Sequence, residues 1–142
     1  IMPLLANDTD GAVTRKRIQD YITATEKYTA VALTDAAAPT AAQLLTSKLF
    51  VQTPTQDTTF TLPTAALVLA ALTDEAVGTS FEFTLINLAS SYEIVVTTAT
   101  GWTITGGGYM TVFDATAATF LAVVTSTSTI QLYRKASGGV VK

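Results

Sequence analysis

Length, composition and charge already exclude several classes of function for this chain. Its 142 residues have a net charge of −3 and only 13% charged side chains, which disfavours a nucleic-acid partner because phosphate binding needs clustered lysine and arginine. The chain has no histidine and no cysteine, so it cannot form a His-dependent catalytic triad, a Cys–His pair, a thiolate metal site or a disulfide.

The apolar excess points to sheet structure and to self-association. There are 28 threonines and 22 alanines, and threonine is β-branched and suits a half-exposed sheet face. The mean hydropathy is +0.40, yet no uninterrupted apolar stretch approaches the roughly 20 residues needed to span a membrane. We therefore expect no membrane partner and an obligate oligomer that buries apolar surface between copies. A very apolar monomer is the alternative.

The first 40 residues are predicted to be an arm that carries one helix. A polar turn at residues 7–11 caps a helix over residues 12–26. Apolar side chains recur in it at helical spacing, as Ile18, Tyr21 and Ile22. A helix this short needs a surface to lie against, so we expect the arm to pack on a neighbour or on a larger assembly.

The basic residues of this predicted helix have two interpretations. Arg15, Lys16 and Arg17 form the only basic cluster of the chain, with Asp20 and Glu26 nearby. Acidic neighbours on the same helix favour a solvated face over a phosphate contact. We assign Arg15 and Arg17, with the three apolar residues above, to the contact that the arm makes with its partner.

Residues 41–135 are predicted to form a β domain with one short internal helix. Before this domain, a strand is expected at residues 28–33 of the arm, while residues 41–45 fit either a helical turn or an extended segment. Alternating residues at 49–53 and 58–62 predict a hairpin across the turn between them. A helix is then predicted over residues 64–72, with Pro63 in its first turn.

From Thr79 onward the chain predicts one strand after another at spacings near ten residues. Strands are expected at residues 81–86, 92–98, 102–105, 109–113, 119–124 and 129–133, separated by glycine- or serine-rich turns. Regular short strands of this kind indicate an all-β sandwich, jelly roll or barrel. Residues 136–142 are predicted to be a C-terminal tail that is loose or docked on a partner.

No catalytic, cofactor-binding or metal-binding residues are predicted, and we expect a protein that is not an enzyme. Two carboxylates would suffice for glycoside hydrolysis, and Glu82 and Glu93 fall on neighbouring predicted strands. The simpler interpretation is that both are exposed strand residues facing solvent or Arg134. The run Gly106 to Gly108 joins two strands and lacks the lysine of a phosphate loop, so we interpret it as a turn or bulge.

Three aromatic residues are candidates for a binding surface. Tyr92, Trp102 and Tyr109 fall at or near predicted turns, where a ring can stack on a sugar. For Trp102, the single tryptophan, packing in the core or in an interface is the alternative.

Short motifs follow one another between residues 40 and 134. They are Ala41-Ala42-Gln43-Leu44-Leu45, Val51-Gln52-Thr53-Pro54-Thr55, Leu62-Pro63-Thr64-Ala65-Ala66, Gly78-Thr79-Ser80-Phe81-Glu82-Phe83, Ile86-Asn87, Gly101-Trp102-Thr103-Ile104 and Gln131-Leu132-Tyr133-Arg134. In order and spacing they resemble a β domain that recurs in structural proteins of tailed bacteriophages and large DNA viruses. That resemblance implies a trimeric β module on virions, used as a capsid decoration or cement protein, a fibre or a knob. The usual pattern has shorter polar residues in place of Trp102 and Tyr109, which leaves a surface role open for both rings.

Three hypotheses of function follow. The first is a viral structural protein on the capsid surface of the virion, a homotrimeric decoration or cement protein whose arm binds the major capsid protein. The second is a head-fibre or knob domain that binds a host receptor or glycan. The third is a glycan hydrolase that uses Glu82 and Glu93.

Overall fold

A computed structural model describes residues 28–73, 75–105 and 110–139 of the chain. Their elements, in chain order, are β1 (Val31–Leu33), α1 (Ala41–Thr46), β2 (Leu49–Gln52), β3 (Thr58–Thr61), α2 (Ala65–Ala71), β4 (Ser80–Asn87), β5 (Ile94–Thr97), β6 (Trp102–Ile104), β7 (Thr111–Val112), β8 (Thr116–Val124) and β9 (Ile130–Gly139). The fold is β-rich, as the composition predicts.

The strands form two mixed sheets. The larger has six strands in the order β1-β2-β4-β8-β9-β6, and the smaller has three in the order β3-β5-β7. Within the larger sheet β1, β2 and β4 are parallel, β8 is antiparallel to both β4 and β9, and β6 is parallel to β9. Parallel neighbours need long crossover connections, and α1 lies in one of them, between β1 and β2.

The buried faces of the two sheets meet in one aromatic core. The rings of Phe50 and Phe60, one from each sheet, lie with centroids 5.1 Å apart. Phe83 stacks on Phe60 at 6.1 Å and on Phe120 at 5.2 Å. Aromatic pairs at these separations add to the free energy gained from burial alone, so this chain of rings holds the two sheets together.

Two helices occur among the described residues, so the prediction of a single internal helix is wrong. The start of α1 is fixed by a capping box, in which Thr40 accepts from the Gln43 N–H and the Gln43 side chain accepts from the Thr40 N–H. Thr64 caps α2, which places Pro63 before the helix and not in its first turn. Leu44 of α1 and Val68 of α2 are buried in the same core as the sheets.

The predicted hairpin of residues 49–53 and 58–62 is also wrong. Its two halves form β2 and β3, which belong to different sheets. β2 pairs instead with β1 and β4, and β3 pairs with β5. Alternation identifies a strand but does not specify its partner, because long-range parallel pairing leaves no local signal.

The sheets extend beyond both predicted ends of the β domain. β1, at residues 31–33 of the predicted arm, pairs with β2 in the larger sheet. β9 extends to Gly139 and pairs with β8 along its length, so the first residues of the predicted tail are part of a strand. The predicted arm helix over residues 12–26 lies outside the described residues.

Gly101 permits a close approach between the turn before β6 and the helix α2. Its backbone has a φ of +91°, which disfavours other residues. A Cβ at this position would lie 2.6 Å from the Ala65 Cβ and 3.0 Å from the Ser128 carbonyl oxygen. Glycine is therefore required where this turn lies against the helix.

Candidate interaction surface

The face of the larger sheet that points away from the core is the most extended candidate surface. It alternates along each strand with the buried residues, and we call it the outer sheet face. It comprises Leu49 and Val51 of β2, Glu82, Thr84 and Ile86 of β4, Ala117, Thr119, Leu121 and Val123 of β8, and Gln131 and Tyr133 of β9. None of these residues is buried, while the two helices and the smaller sheet contribute their buried side chains to the core.

Apolar and hydroxyl side chains dominate this face. The Thr84 and Thr119 hydroxyls share a hydrogen bond of 3.0 Å across β4 and β8. Its one described ion pair joins the Lys135 ammonium to the Glu82 carboxylate, with both side chains about half exposed. Lys135 reaches it because a β-bulge opposite Thr119 and Phe120 inserts this residue as an extra one into β9. The outer sheet face is thus nearly neutral and largely apolar.

A depression of about 290 Å³ opens on this face and is lined by Tyr28, Lys48, Glu82, Phe83 and Thr84. We call it the β2–β4 pocket. Its floor is fixed by backbone pairing, since the Thr84 N–H donates to the Lys48 carbonyl at 2.9 Å. Tyr28 is 63% exposed. The pocket combines an aromatic wall with one cationic and one anionic side chain.

A second candidate surface lies at the end of the molecule where β4 and β7 terminate. Leu88, Tyr92 and Phe113 are all large and exposed, and we call them the loop cluster. The buried Asn87 side chain holds their backbones together, because its Nδ2 donates to the carbonyls of Tyr92 at 2.8 Å and Phe113 at 3.2 Å. Two ring-bearing residues and a leucine therefore project from one small region.

Buried amides support the same end of the larger sheet. Asn87 on β4 lies opposite Gln52 on β2 in the parallel register, and both are fully buried. Asn87 also accepts from the Ala89 N–H at 3.0 Å. The Gln52 Nε2 donates to the Thr34 carbonyl at 2.7 Å, while its buried Oε1 has no hydrogen-bond partner. Of the two amides, Asn87 therefore has hydrogen-bond partners for both its nitrogen and its oxygen, whereas Gln52 has one only for its nitrogen.

The predicted aromatic residues do not converge on one site. Tyr92 is exposed in the loop cluster, while Trp102 is only 8% exposed. Trp102 packs in the core, and its Nε1 donates to the Pro63 carbonyl at 2.7 Å, so its assignment to a binding surface is wrong. Tyr109 lies outside the described residues, as do Arg15, Arg17, Ile18, Tyr21 and Ile22 of the arm.

The two glutamates considered for glycoside hydrolysis belong to different sheets. Glu82 is on β4 of the larger sheet and forms its ion pair with Lys135, not with Arg134. Glu93 immediately precedes β5 of the smaller sheet, where its N–H donates to Asp57. The expected placement on adjacent strands is wrong. Arg134 instead donates to the Thr111 carbonyl and lies 5.9 Å from the centre of the Phe120 ring.

Sequence reasoning missed the outer sheet face, although a signal for it exists. Residues 120–124 are Phe-Leu-Ala-Val-Val, apolar at every position of a strand. Continuous apolar strands are typical of sheets covered on both faces. Leu121 and Val123, which occupy the outward positions and are half-buried, are therefore the sequence signal for this face.

Within the described residues, no cluster of three acidic residues is placed to hold a metal ion. No described helix is long and apolar enough to cross a membrane. No family model, curated protein or solved structure matches the chain.

Proposed function

We propose that this chain is a non-enzymatic structural protein of the virion, a capsid decoration or cement protein that associates as a homotrimer. Its N-terminal arm would bind the major capsid protein on the outside of the shell. The observation that supports self-association is the outer sheet face, because its apolar side chains are left partly exposed and contiguous exposed apolar surface often marks a protein interface. Homo-oligomers with closed symmetry are the common way to cover it.

The finer fold that we propose is a β-sandwich of the two sheets. Their contact through Phe50 and Phe60 supports two packed layers. A jelly roll is built from antiparallel strands, and the parallel pairs β1–β2, β2–β4, β3–β5 and β6–β9 depart from that pattern. We therefore propose that the protein resembles a jelly roll only in having two packed sheets.

The first experiment measures the mass of the full chain in solution by light scattering. We expect three times the chain mass of 14.9 kDa. Leu121→Lys places a charge in the centre of the outer sheet face and should shift the protein toward the monomer. Thr59→Lys places the same charge at an exposed position of β3 and should leave the mass unchanged. A wild-type monomer at all concentrations would refute self-association.

A second experiment tests the capsid role. Shells that lack this protein are incubated with the full chain, sedimented and heated. Binding should raise the melting temperature of the shell, because a ligand that binds only the assembled state stabilises it. Ile18→Asp combined with Tyr21→Asp should abolish co-sedimentation while the mass in solution stays that of the wild type. Co-sedimentation that survives these changes would refute the proposed role of the arm.

The loop cluster supports a second candidate function, a head-fibre or knob domain that binds a host receptor or glycan. Exposed aromatic rings beside polar loop residues are a common feature of sugar sites, and Tyr92 and Phe113 have that arrangement. Binding to immobilised glycans or host cells, without any shell, is the measurement. Tyr92→Ala should remove such binding, and Leu67→Ala at an exposed position of α2 serves as the matched control.

A further inference from the structure

The β2–β4 pocket opens on one side of the outer sheet face. Tyr133 lies on the other side of the same face and does not line the pocket of its own chain. Glu82, Leu121 and Tyr133 form one row across three adjacent strands, since Glu82 is opposite Leu121 and Leu121 is opposite Tyr133. Neighbouring strands lie about 4.8 Å apart, so Tyr133 stands roughly 10 Å from Glu82. It is 37% exposed.

The chemistry of the pocket suits a tyrosine side chain. A phenol hydroxyl both donates and accepts hydrogen bonds, and the pocket offers the Glu82 carboxylate as an acceptor and the Lys48 ammonium as a donor. Tyr28 supplies an aromatic wall for the ring. Tyrosine is enriched at protein interfaces because it combines a large apolar body with one polar end.

Lys48 connects α1 to β2 and lines the β2–β4 pocket. Lys48 follows α1 with a left-handed φ of +59°, a conformation that ends many helices and that glycine adopts without strain. Its N–H donates to the Gln43 carbonyl at 3.0 Å, as a helix-ending residue should. The residue that ends the helix therefore also places a cation among the residues that line the pocket.

We propose that Tyr133 of a second copy of this chain inserts into the β2–β4 pocket. This inference rests on the proposed self-association and identifies the contact that produces it. Each copy carries Tyr133 and the pocket on the same face, with one strand, β8, between them. A head-to-tail contact between these different patches can close into a ring of three, with Leu121, which lies between them, near the axis.

The test replaces Tyr133 with p-azidophenylalanine, which keeps the ring and forms a covalent bond to its neighbours under light. We expect a product of two chains on a denaturing gel, and mass spectrometry should place the new bond at Tyr28, Lys48, Glu82 or Thr84 of the other chain. The control carries the same amino acid at the exposed position 92 and should give no such bond.

Association strength provides an independent measurement. Tyr133→Ala should raise the concentration at which the assembly dissociates by at least about tenfold, the effect expected for a central aromatic contact. Tyr133→Phe keeps the ring and should retain most of the association. Thr84→Trp fills the pocket from its own chain and should weaken association as Tyr133→Ala does, while circular dichroism verifies that each variant is folded.

The outcomes separate this inference from the proposed function. An oligomer that forms no bond between position 133 and the pocket would overturn the inference and leave self-association standing. Bonds from position 133 to residues 1–27 of its own chain would also overturn it, because the arm would then cover this face. Bonds to the pocket of another chain in a two-chain assembly would support the inference and contradict the homotrimer.

Discussion

The two faces of β4 and β8 are built from the same alternation and have opposite roles. Phe83 and Phe120 point inward, are fully buried and stack at 5.2 Å. Thr84 and Leu121, their neighbours in sequence, point outward and are half-buried. The inner face gains its stabilisation from packing among the described residues, whereas the proposed association would bury the outer face further. Substitutions on the inner face should therefore lower the free energy of unfolding, and those on the outer face should weaken association between chains.

The largest expected effect is on the inner face. Phe83→Ala removes a ring that contacts three other phenylalanines and should lower the free energy of unfolding by about 3–5 kcal/mol. Thr84→Ala, one residue away on the outer face, should cost no more than about 1 kcal/mol. Urea unfolding of both variants, at a concentration where the chain is monomeric, measures the difference. Equal losses would contradict the division of roles between the faces.

The two buried amides at the end of the inner face allow a sharper comparison. Asn87→Leu leaves the carbonyls of Tyr92, Val112 and Phe113 without this donor and should cost about 2–4 kcal/mol, because unsatisfied buried polar groups are expensive. Gln52→Met removes an unpartnered oxygen and one bond to Thr34, a residue at the surface. It should change the free energy of unfolding by about 1 kcal/mol or less. A larger cost for Gln52→Met would contradict this ranking.

Much of the strand content could be predicted from the sequence, because alternation is local. The apolar positions Phe81, Phe83 and Leu85 identify β4, and all three are buried. The pairing of strands could not be predicted in this way. β2 and β3 are near in sequence but lie in different sheets, and which strand each one meets depends on the crossovers and on the fit of the core. The alanine-rich residues 41–45 fit either a helical turn or an extended segment, and the capping box between Thr40 and Gln43 is the local feature that favours the helix α1.

The candidate surfaces were harder to predict. Residue type alone favours a binding surface for Trp102, although a large ring beside a glycine turn also suits the core, where it lies. Nothing in the sequence distinguishes Tyr133 from an ordinary strand residue. Its position in one row with Glu82 and Leu121 follows from the register of β4, β8 and β9, which only the three-dimensional pairing provides.

On the outer face itself, the ion pair between Lys135 and Glu82 should contribute little to the stability of one chain. Both side chains are about half exposed, and such pairs contribute about 0–1 kcal/mol. Lys135→Met should therefore leave urea unfolding of the monomer nearly unchanged. The same substitution should weaken association by more than it changes unfolding. A partner that covers the pocket would then bury the Glu82 carboxylate without its cation. An effect on unfolding above about 1 kcal/mol would assign this pair to the fold and not to the interface.

The smallest effect on stability is expected outside both faces, in the loop after β1. The Thr55 side chain and backbone N–H donate to the Asp35 carboxylate at 2.6 and 2.7 Å and hold its pKa below the ordinary value of 3.8. The stabilisation is therefore present above that ordinary pKa and is lost as the pH falls through the lower, folded-state pKa. Thr55→Val removes the hydroxyl donor and should raise the pKa of Asp35 toward 3.8, measured by NMR titration of its carboxyl carbon. Thr53→Val, two residues earlier, should leave that pKa unchanged, and an equal shift in both variants would show that the Thr55 hydroxyl is not its cause.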